Sequence, residues 1–148
     1  MIEIRPARES DLGQIAEIEN QCFSMPWDEG LLRIQLGERY VFPVAAEGEE
    51  ILGYVGMQYV LDEGYISNVA VSPKHRRKGI ADMLLSALHK EAEKLSLSFV
   101  SLEVRASNVP AISLYSKHGY IEEGRRKNYY EKPREDAIIM TRRWESKL

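Results

Sequence analysis

Apolar positions along the chain alternate between two periods, and the switches mark its elements. Ile2–Arg5 alternates apolar and polar side chains and stops at Pro6, which reads as a short strand. Ser10 suits a helix N-cap, and Leu12, Ile15, Ala16, Ile18 and Phe23 then recur at helical spacing. Met25-Pro26-Trp27-Asp28 breaks that helix, and a second short one is predicted from Asp28 to about Leu36. Val41–Glu47 and Ile51–Val60 read as strands joined by Gly48-Glu49-Glu50, a hairpin signal. Asp62-Glu63-Gly64 turns the chain again, and Tyr65–Val71 adds a third strand that ends at Ser72-Pro73. Gly79 opens the clearest helix, in which Ile80, Leu84, Leu88, Ala92 and Leu95 form a stripe beside Lys90, Glu91, Glu93 and Lys94. Phe99–Val104 reads as a strand. Ser107 or Asn108 caps a further helix, with Pro110 in its first turn and Gly119 at its end. Two last strands are predicted from Tyr120–Glu123 onward and over Ala137–Arg142. The order β-αα-βββ-α-β-α-ββ implies an α/β (α+β) architecture, a mostly antiparallel sheet with helices packed on its faces.

Composition narrows this further. At 148 residues, with 44% apolar and 29% charged positions and no repeat or linker, residues 1–148 are expected to form one globular domain. No apolar run approaches the roughly 18 residues of a membrane span. The opening Met1-Ile2-Glu3-Ile4-Arg5-Pro6 lacks the apolar stretch of a signal peptide, so a cytoplasmic protein with no membrane partner is expected. A net charge of −3 argues against direct nucleic-acid binding by bulk electrostatics. The one cysteine, Cys22, excludes an internal disulfide and a cysteine-clustered metal site, and reads as a small buried hydrophobe. His75, His89 and His118 lie in different elements without a ligand spacing, so no metal is expected.

Four segments could carry chemistry. In Val69-Ala70-Val71-Ser72-Pro73-Lys74-His75-Arg76-Arg77-Lys78-Gly79-Ile80-Ala81 a strand ends, a basic loop follows and a helix begins at glycine. A helix N-terminus with unpaired N–H groups suits phosphate, and Gly79 admits close approach of a ligand; a solvated basic turn is the alternative. The spacing matches neither a P-loop nor Gly-x-Gly-x-x-Gly. Glu103 sits near the end of an apolar strand, with Phe99 and Ser101 on its face and Val100, Leu102 and Val104 on the other. Such a carboxylate can serve as a general base, or pair with Arg105 or another basic residue. Asn108 and Tyr115 are seven apart and share a helix face; Tyr115 could donate a proton to a cleft or simply fill the core. Arg125-Arg126-Lys127-Asn128-Tyr129-Tyr130 interleaves basic and aromatic side chains, which fits RNA stacking, a peptide-binding loop or a hairpin tip. The overall charge counts against RNA.

Together these segments resemble the GNAT acetyltransferases. Arg76-Arg77-Lys78-Gly79-Ile80-Ala81 matches that family's Gln/Arg-x-x-Gly-x-Gly/Ala loop, with alanine at its last position where many members have glycine, and Val69-Ala70-Val71 lies just upstream. Leu102 through Asn108, Ala111-Ile112-Ser113-Leu114-Tyr115, Gly119-Tyr120, Asn128-Tyr129-Tyr130 and Arg134-Glu135-Asp136-Ala137 are similar to the RimI group of bacterial ribosomal-protein alanine N-acetyltransferases. Pro26-Trp27 and Gly37-Glu38-Arg39-Tyr40 fit the same group, and the resemblance covers nearly the whole chain.

The resemblance implies a central mixed sheet, mostly antiparallel, splayed between its fourth and fifth strands, with helices on both faces. Acetyl-CoA would be the acetyl donor and no metal would be needed. The strand Val69-Ala70-Val71 would hold the pantetheine arm through backbone groups of Val69 and Val71. Arg76, Arg77, Lys78, Gly79, Ile80 and Ala81 would cradle the pyrophosphate, and Asn108 would contact the cofactor. Glu103 matches the general base, Tyr115 the general acid, and Tyr129 and Tyr130 the residues that close over the acceptor. The acceptor would be a protein N-terminus, the N-terminal alanine of a small-subunit ribosomal protein, acetylated by direct attack because Cys22 lies outside every matched motif. Two alternatives stand beside this reading: a GNAT enzyme acting on a small amine, and a non-catalytic acetyl-CoA sensor or ribosome-binding module in which Glu103 and Tyr115 would be dispensable.

Overall fold

The computed structural model describes residues 1–144; the last four residues of the expected 1–148 domain lie outside the described residues. Strand β1 (Glu3–Pro6) leads through a 3₁₀ turn (Glu9–Asp11) into α1 (Leu12–Cys22), and α2 spans Glu29–Ile34. Strands β2 (Tyr40–Val41), β3 (Pro43–Glu47), β4 (Glu50–Val60) and β5 (Glu63–Val71) follow, then α3 (Ile80–Lys94), β6 (Phe99–Arg105), α4 (Val109–Lys117), β7 (Ile121–Tyr130) and β8 (Glu135–Arg143). The strands form one sheet in the order β1-β3-β4-β5-β6-β8-β7, with β2 paired to β4. Among the described residues, only β5 and β6 run parallel.

Helices cover both faces. Leu84, Leu85, Leu88 and Ala92 of α3 bury in one core with Ala45 of β3, Leu52 and Val55 of β4 and Val100, Leu102 and Val104 of β6, and Tyr115 of α4 belongs to the same core. Leu12, Ile15 and Ile18 of α1 and Leu32 of α2 pack on Val44, Tyr54 and Ala70 from the opposite side. Among the described residues, no helix is long and apolar enough to cross a membrane.

Several local expectations shift. Ser10 does not cap α1: the Asp11 carboxylate takes the Arg8 N–H at 2.8 Å and a paired contact from Arg5 at 2.8 and 3.0 Å, which anchors the helix start to β1. The Val41–Glu47 strand is two strands, because Tyr40–Val41 leaves β3 to pair with Gln58 and Met57 of β4. The strand predicted from Tyr120 is longer than its apolar start suggested, running through the basic-aromatic segment to Tyr130. Asp28 caps α2 by accepting from the Leu31 N–H at 2.9 Å.

The feature that positions the site is a bulge in β5. Gly56 pairs with Asn68 and Met57 with Ile66, so Ser67 is an extra residue on β5. A bulge bends its strand and sharpens the twist. Strands β5 and β6 pair only from Glu63↔Phe99 to Tyr65↔Ser101, and separate beyond. With the two-residue β2 set aside, these are the fourth and fifth strands, so the opening lies where the resemblance implied. The bulge is seated under α2: the Ser67 hydroxyl donates to the Gly56 carbonyl at 3.1 Å, and Gln35 lies over Gly56 so closely that a Cβ there would meet its Oε1 at 1.9 Å.

Candidate active site

A cavity of about 590 Å³ occupies the gap between the separated ends of β5 and β6. Its walls are Ile66–Val69 of β5, Leu102–Arg105 of β6, Asn108, Ala111 and Tyr115 of α4, the loop after α1, and Tyr129–Glu131 at the end of β7. The edge of β5 facing the gap carries free backbone groups. Ser72 N–H bonds to the Leu52 carbonyl of β4 at 2.8 Å, so by alternation Ala70 also turns to β4, while Val69 and Val71 turn toward the gap. The Val71 carbonyl accepts from Arg76 Nε at 3.4 Å and from the Cys22 thiol at 3.6 Å.

Glu103 and Tyr115 reach this one cavity from different elements. Glu103 pairs with Arg126 of β7, Nε to Oε1 at 3.1 Å, rather than with its neighbour Arg105. Arg105 instead ties the β7–β8 turn to β6: it donates to the Pro133 carbonyl at 2.9 Å, the Glu131 carbonyl at 3.1 Å and Glu135 at 3.2 Å. Its guanidinium also stacks 4.5 Å from the Tyr130 ring centre. Tyr129 and Tyr130 meet edge to face at 5.0 Å. Burial pushes the Tyr130 hydroxyl up to about 12. Tyr115 is 8% exposed, its ring 5.8 Å from that of Tyr120, and burial holds its hydroxyl well above the usual phenol range. Asn108 caps α4, accepting from the Ala111 N–H at 3.2 Å, so the N-cap and Tyr115 face one cleft two turns apart.

The basic loop leads away from the cavity's edge. Arg77 and Gly79 both have left-handed backbones, at φ 64° and 74°, and α3 begins directly after Gly79. A Cβ added at Gly79 would meet nothing within 4 Å, so the approach to the first N–H groups of α3 is open. Alternating left-handed residues before a helix start turn successive N–H groups outward, a concavity that suits an anion. Ile80 itself is buried, so only its backbone is available there. Asp82, the acidic residue of the first turn, is bound by Lys117 at 2.7 Å and His118 at 2.8 Å, which hold its carboxyl below the usual range.

The family model described as the Acetyltransferase (GNAT) family matches residues 12–120. The chain belongs to the GNAT acetyltransferases. Among GNAT relatives, it is 39% identical over 133 residues to the [ribosomal protein bS18]-alanine N-acetyltransferase of Escherichia coli K12, covering 88% of this chain and 90% of that protein. It is 38% identical over 133 residues to the protein of the same name from Haemophilus influenzae, with the same coverage. A crystal structure of the Escherichia coli ribosomal-protein-alanine N-acetyltransferase superposes with a TM-score of 0.92 at 36% identity, over 100% of this chain and 99% of that one. Ard1 from Thermoplasma volcanium shares the fold, with a TM-score of 0.89 at 24% identity over 98% and 99% of the two chains.

Of the residues that the GNAT motifs single out, Val69, Glu103, Asn108, Tyr115, Tyr129 and Tyr130 line the cavity together. Ala70, Val71 and Arg76 through Ala81 do not line it; they form the strand end and the loop leading from it. Other wall residues escaped the motifs. Cys22 is half-buried and lines the cavity, its sulfur accepting from Arg76 Nη2 at 3.4 Å, so it is not the buried hydrophobe expected. Met25 and Trp27 reach the wall because the segment after α1 folds over the sheet; Pro26-Trp27 was matched to the family group, but without a place in the site. Asn68 owes its place to the bulge at Ser67, which no side-chain pattern announced.

Proposed function

We propose that this GNAT enzyme transfers the acetyl group of acetyl-CoA to the N-terminal α-amine of a protein in the cytoplasm, with the N-terminal alanine of a small-subunit ribosomal protein as its substrate. The observation that carries this reading is the convergence of Glu103 and Tyr115 on one cavity bounded by the free edge of β5. Acetyl-CoA fits the chain's own features: the backbone of Val69 and the N–H of Val71 on the β5 edge facing the gap for an extended arm, and an open helix start after the left-handed Arg77 and Gly79, flanked by Arg76 and Lys78, for a pyrophosphate. When bound, it supplies a thioester that is open to attack by an amine. Glu103 accepts the proton the amine must lose, and the Tyr115 hydroxyl donates to the departing sulfur. Tyr129 and Tyr130 close over the end of the acceptor chain. The activity named for the relatives, at 39% and 38% identity, supports alanine as the first residue.

The amine class follows from acid–base arithmetic. An α-amine titrates near 7.7–8.0 and a lysine near 10.4, so deprotonating lysine at neutral pH is about 3.4 kcal/mol harder. A single carboxylate matches the α-amine. The test is mass spectrometry of lysine-containing peptides that begin with alanine, with free and chemically blocked N-termini, incubated with enzyme and acetyl-CoA. The expected product is acetylated at the α-amine of the free peptide and absent from the blocked one. Equal acetylation of both overturns the α-amine assignment, and acetylation of polyamines alone moves the reading to a small-amine enzyme.

A further inference from the structure

We propose that Asn68 is an acceptor-binding residue, its Oδ1 taking a hydrogen bond from the attacking amine, and that the buried Glu19 is the positioning residue that aims it. This rests on reading the cavity as the site of an N-terminal amine.

Glu19, in the last turn of α1, is 0% exposed. Its carboxylate receives three donors: the Trp27 N–H at 3.0 Å, the Tyr54 hydroxyl, and Asn68 Nδ2 at 3.1 and 3.2 Å to its two oxygens. A backbone N–H can only donate, so Oε1 is an acceptor, and Asn68 must present its NH₂ to it. The amide's other atom, Oδ1, makes no hydrogen bond among the described residues and is not a buried unpaired atom. Because Asn68 lines the cavity, that free acceptor is open to it.

The sheet puts Asn68 opposite Glu103. Past the last pair, Tyr65↔Ser101, Glu103 is the next residue of β6 on the Ser101 face. On β5 the bulge shifts the alternation: Ile66, Val69 and Val71 pack toward α3, while Ser67, Asn68 and Ala70 turn toward α1 and α2. Phe99, on the Glu103 face, stacks with Tyr65 at 5.9 Å. The two arms of the gap thus present Glu103 and Asn68 from the same face. A neutral primary amine attacking a carbonyl has two N–H bonds to satisfy. Glu103 receives the one that is lost, and Asn68 holds the other, fixing the lone pair on the reaction axis.

Glu19 touches no substrate, yet Glu19→Gln changes what the cleft presents. The substituted amide, keeping its oxygen on the Trp27 N–H, would place its NH₂ where the second carboxylate oxygen was. That NH₂ would stand where Oε2 now lies 3.2 Å from Asn68 Nδ2, so Asn68 would keep only its bond to Oε1 and face a donor in place of its second acceptor, which loosens its aim at the amine.

The experiment compares wild type, Asn68→Ala, the near-isosteric Asn68→Leu, and Glu19→Gln on two peptides, one beginning with alanine and one with N-methylalanine, whose amine has one N–H fewer. Acetyl-CoA affinity by calorimetry and thermal unfolding are followed in parallel. Each variant is expected to lose roughly tenfold in kcat/KM on the alanine peptide, as for one hydrogen bond, with the loss on the N-methyl peptide smaller and acetyl-CoA affinity unchanged. The wild-type preference for alanine over N-methylalanine therefore collapses in all three. A stability defect alone would lower both peptides equally. If Glu19→Gln does not fold, the Asn68 variants decide. Variants that keep the wild-type preference overturn the assignment while leaving the proposed function standing. A wild type that acetylates neither peptide overturns the proposed function and this assignment with it.

Discussion

Arg126 on β7 holds one oxygen of Glu103, Nε to Oε1 at 3.1 Å, and leaves the other for the cleft. Glu103→Gln keeps the shape and the contact to Arg126 but removes the basic oxygen. We expect it to lower turnover by about 10²–10⁴-fold, with acetyl-CoA affinity unchanged. Arg126→Gln leaves the carboxylate in place and should lower turnover far less. The pair is half exposed, and such pairs contribute about 0–1 kcal/mol, so neither change should lower the melting temperature appreciably. Steady-state kinetics beside thermal melts separate the base from its partner.

Tyr115→Phe isolates a hydroxyl. The ring keeps its packing on Tyr120, so the fold should persist. Burial keeps the hydroxyl protonated well above neutral pH, so it remains a donor across the working range and contributes no basic limb to the pH–rate profile. We expect a fall in turnover of about 10²–10⁴-fold at every pH between 6 and 9. A variant with wild-type turnover would reduce Tyr115 to a core residue.

Gly79 tests the anion cradle in two steps. Its φ of 74° is left-handed, a conformation that asparagine tolerates better than other side chains do. Gly79→Asn should therefore bind acetyl-CoA moderately less well, whereas Gly79→Glu puts bulk and negative charge at the helix start and should weaken it much more. Calorimetric titration of the two folded variants measures the difference. Equal, unchanged affinities would place the pyrophosphate elsewhere.

His89 sets an acid limit on stability. It is 4% exposed on α3, donates from Nε2 to the Tyr120 hydroxyl at 2.8 Å, and accepts at Nδ1 from Arg142 at 3.0 Å. Burial, with Arg142 and then His118 nearby, pushes its imidazole down to about 3. The His118 ring, 5.8 Å from that of His89, is bonded at Nε2 to the Asp82 carboxylate at 2.8 Å. The unfolded chain takes up the His89 proton near pH 6.5, the folded chain only near 3. The unfolded state therefore binds more protons in that window, and stability falls as pH drops from 6.5 toward 3, by up to about 1.4 kcal/mol per unit. His89→Gln should flatten the decline in denaturant midpoint between pH 6.5 and 4. An unchanged slope would show that other groups set it.

Much of this protein was legible along the chain because the signals are local. The stripe on α3, the cap at Asn108, and glycines 79 and 119 depend on residues a few positions apart. So does the shared helix face of Asn108 and Tyr115. The motifs that carry the family resemblance belong to the same class, since each lies within one strand–loop or loop–helix segment. What tertiary structure decided lies in pairings between distant segments. The partner of Glu103 is 23 residues away on β7, and Asn68 meets Glu19 across 49 residues. Ser67 reads as one more strand residue until β4 is laid beside it and proves one residue short. That mismatch bends β5 from β6, opens the cavity, and turns Asn68 toward α1. Strand register is an agreement between two segments, and the hydrogen-bond ladder that enforces it exists only once both are in place.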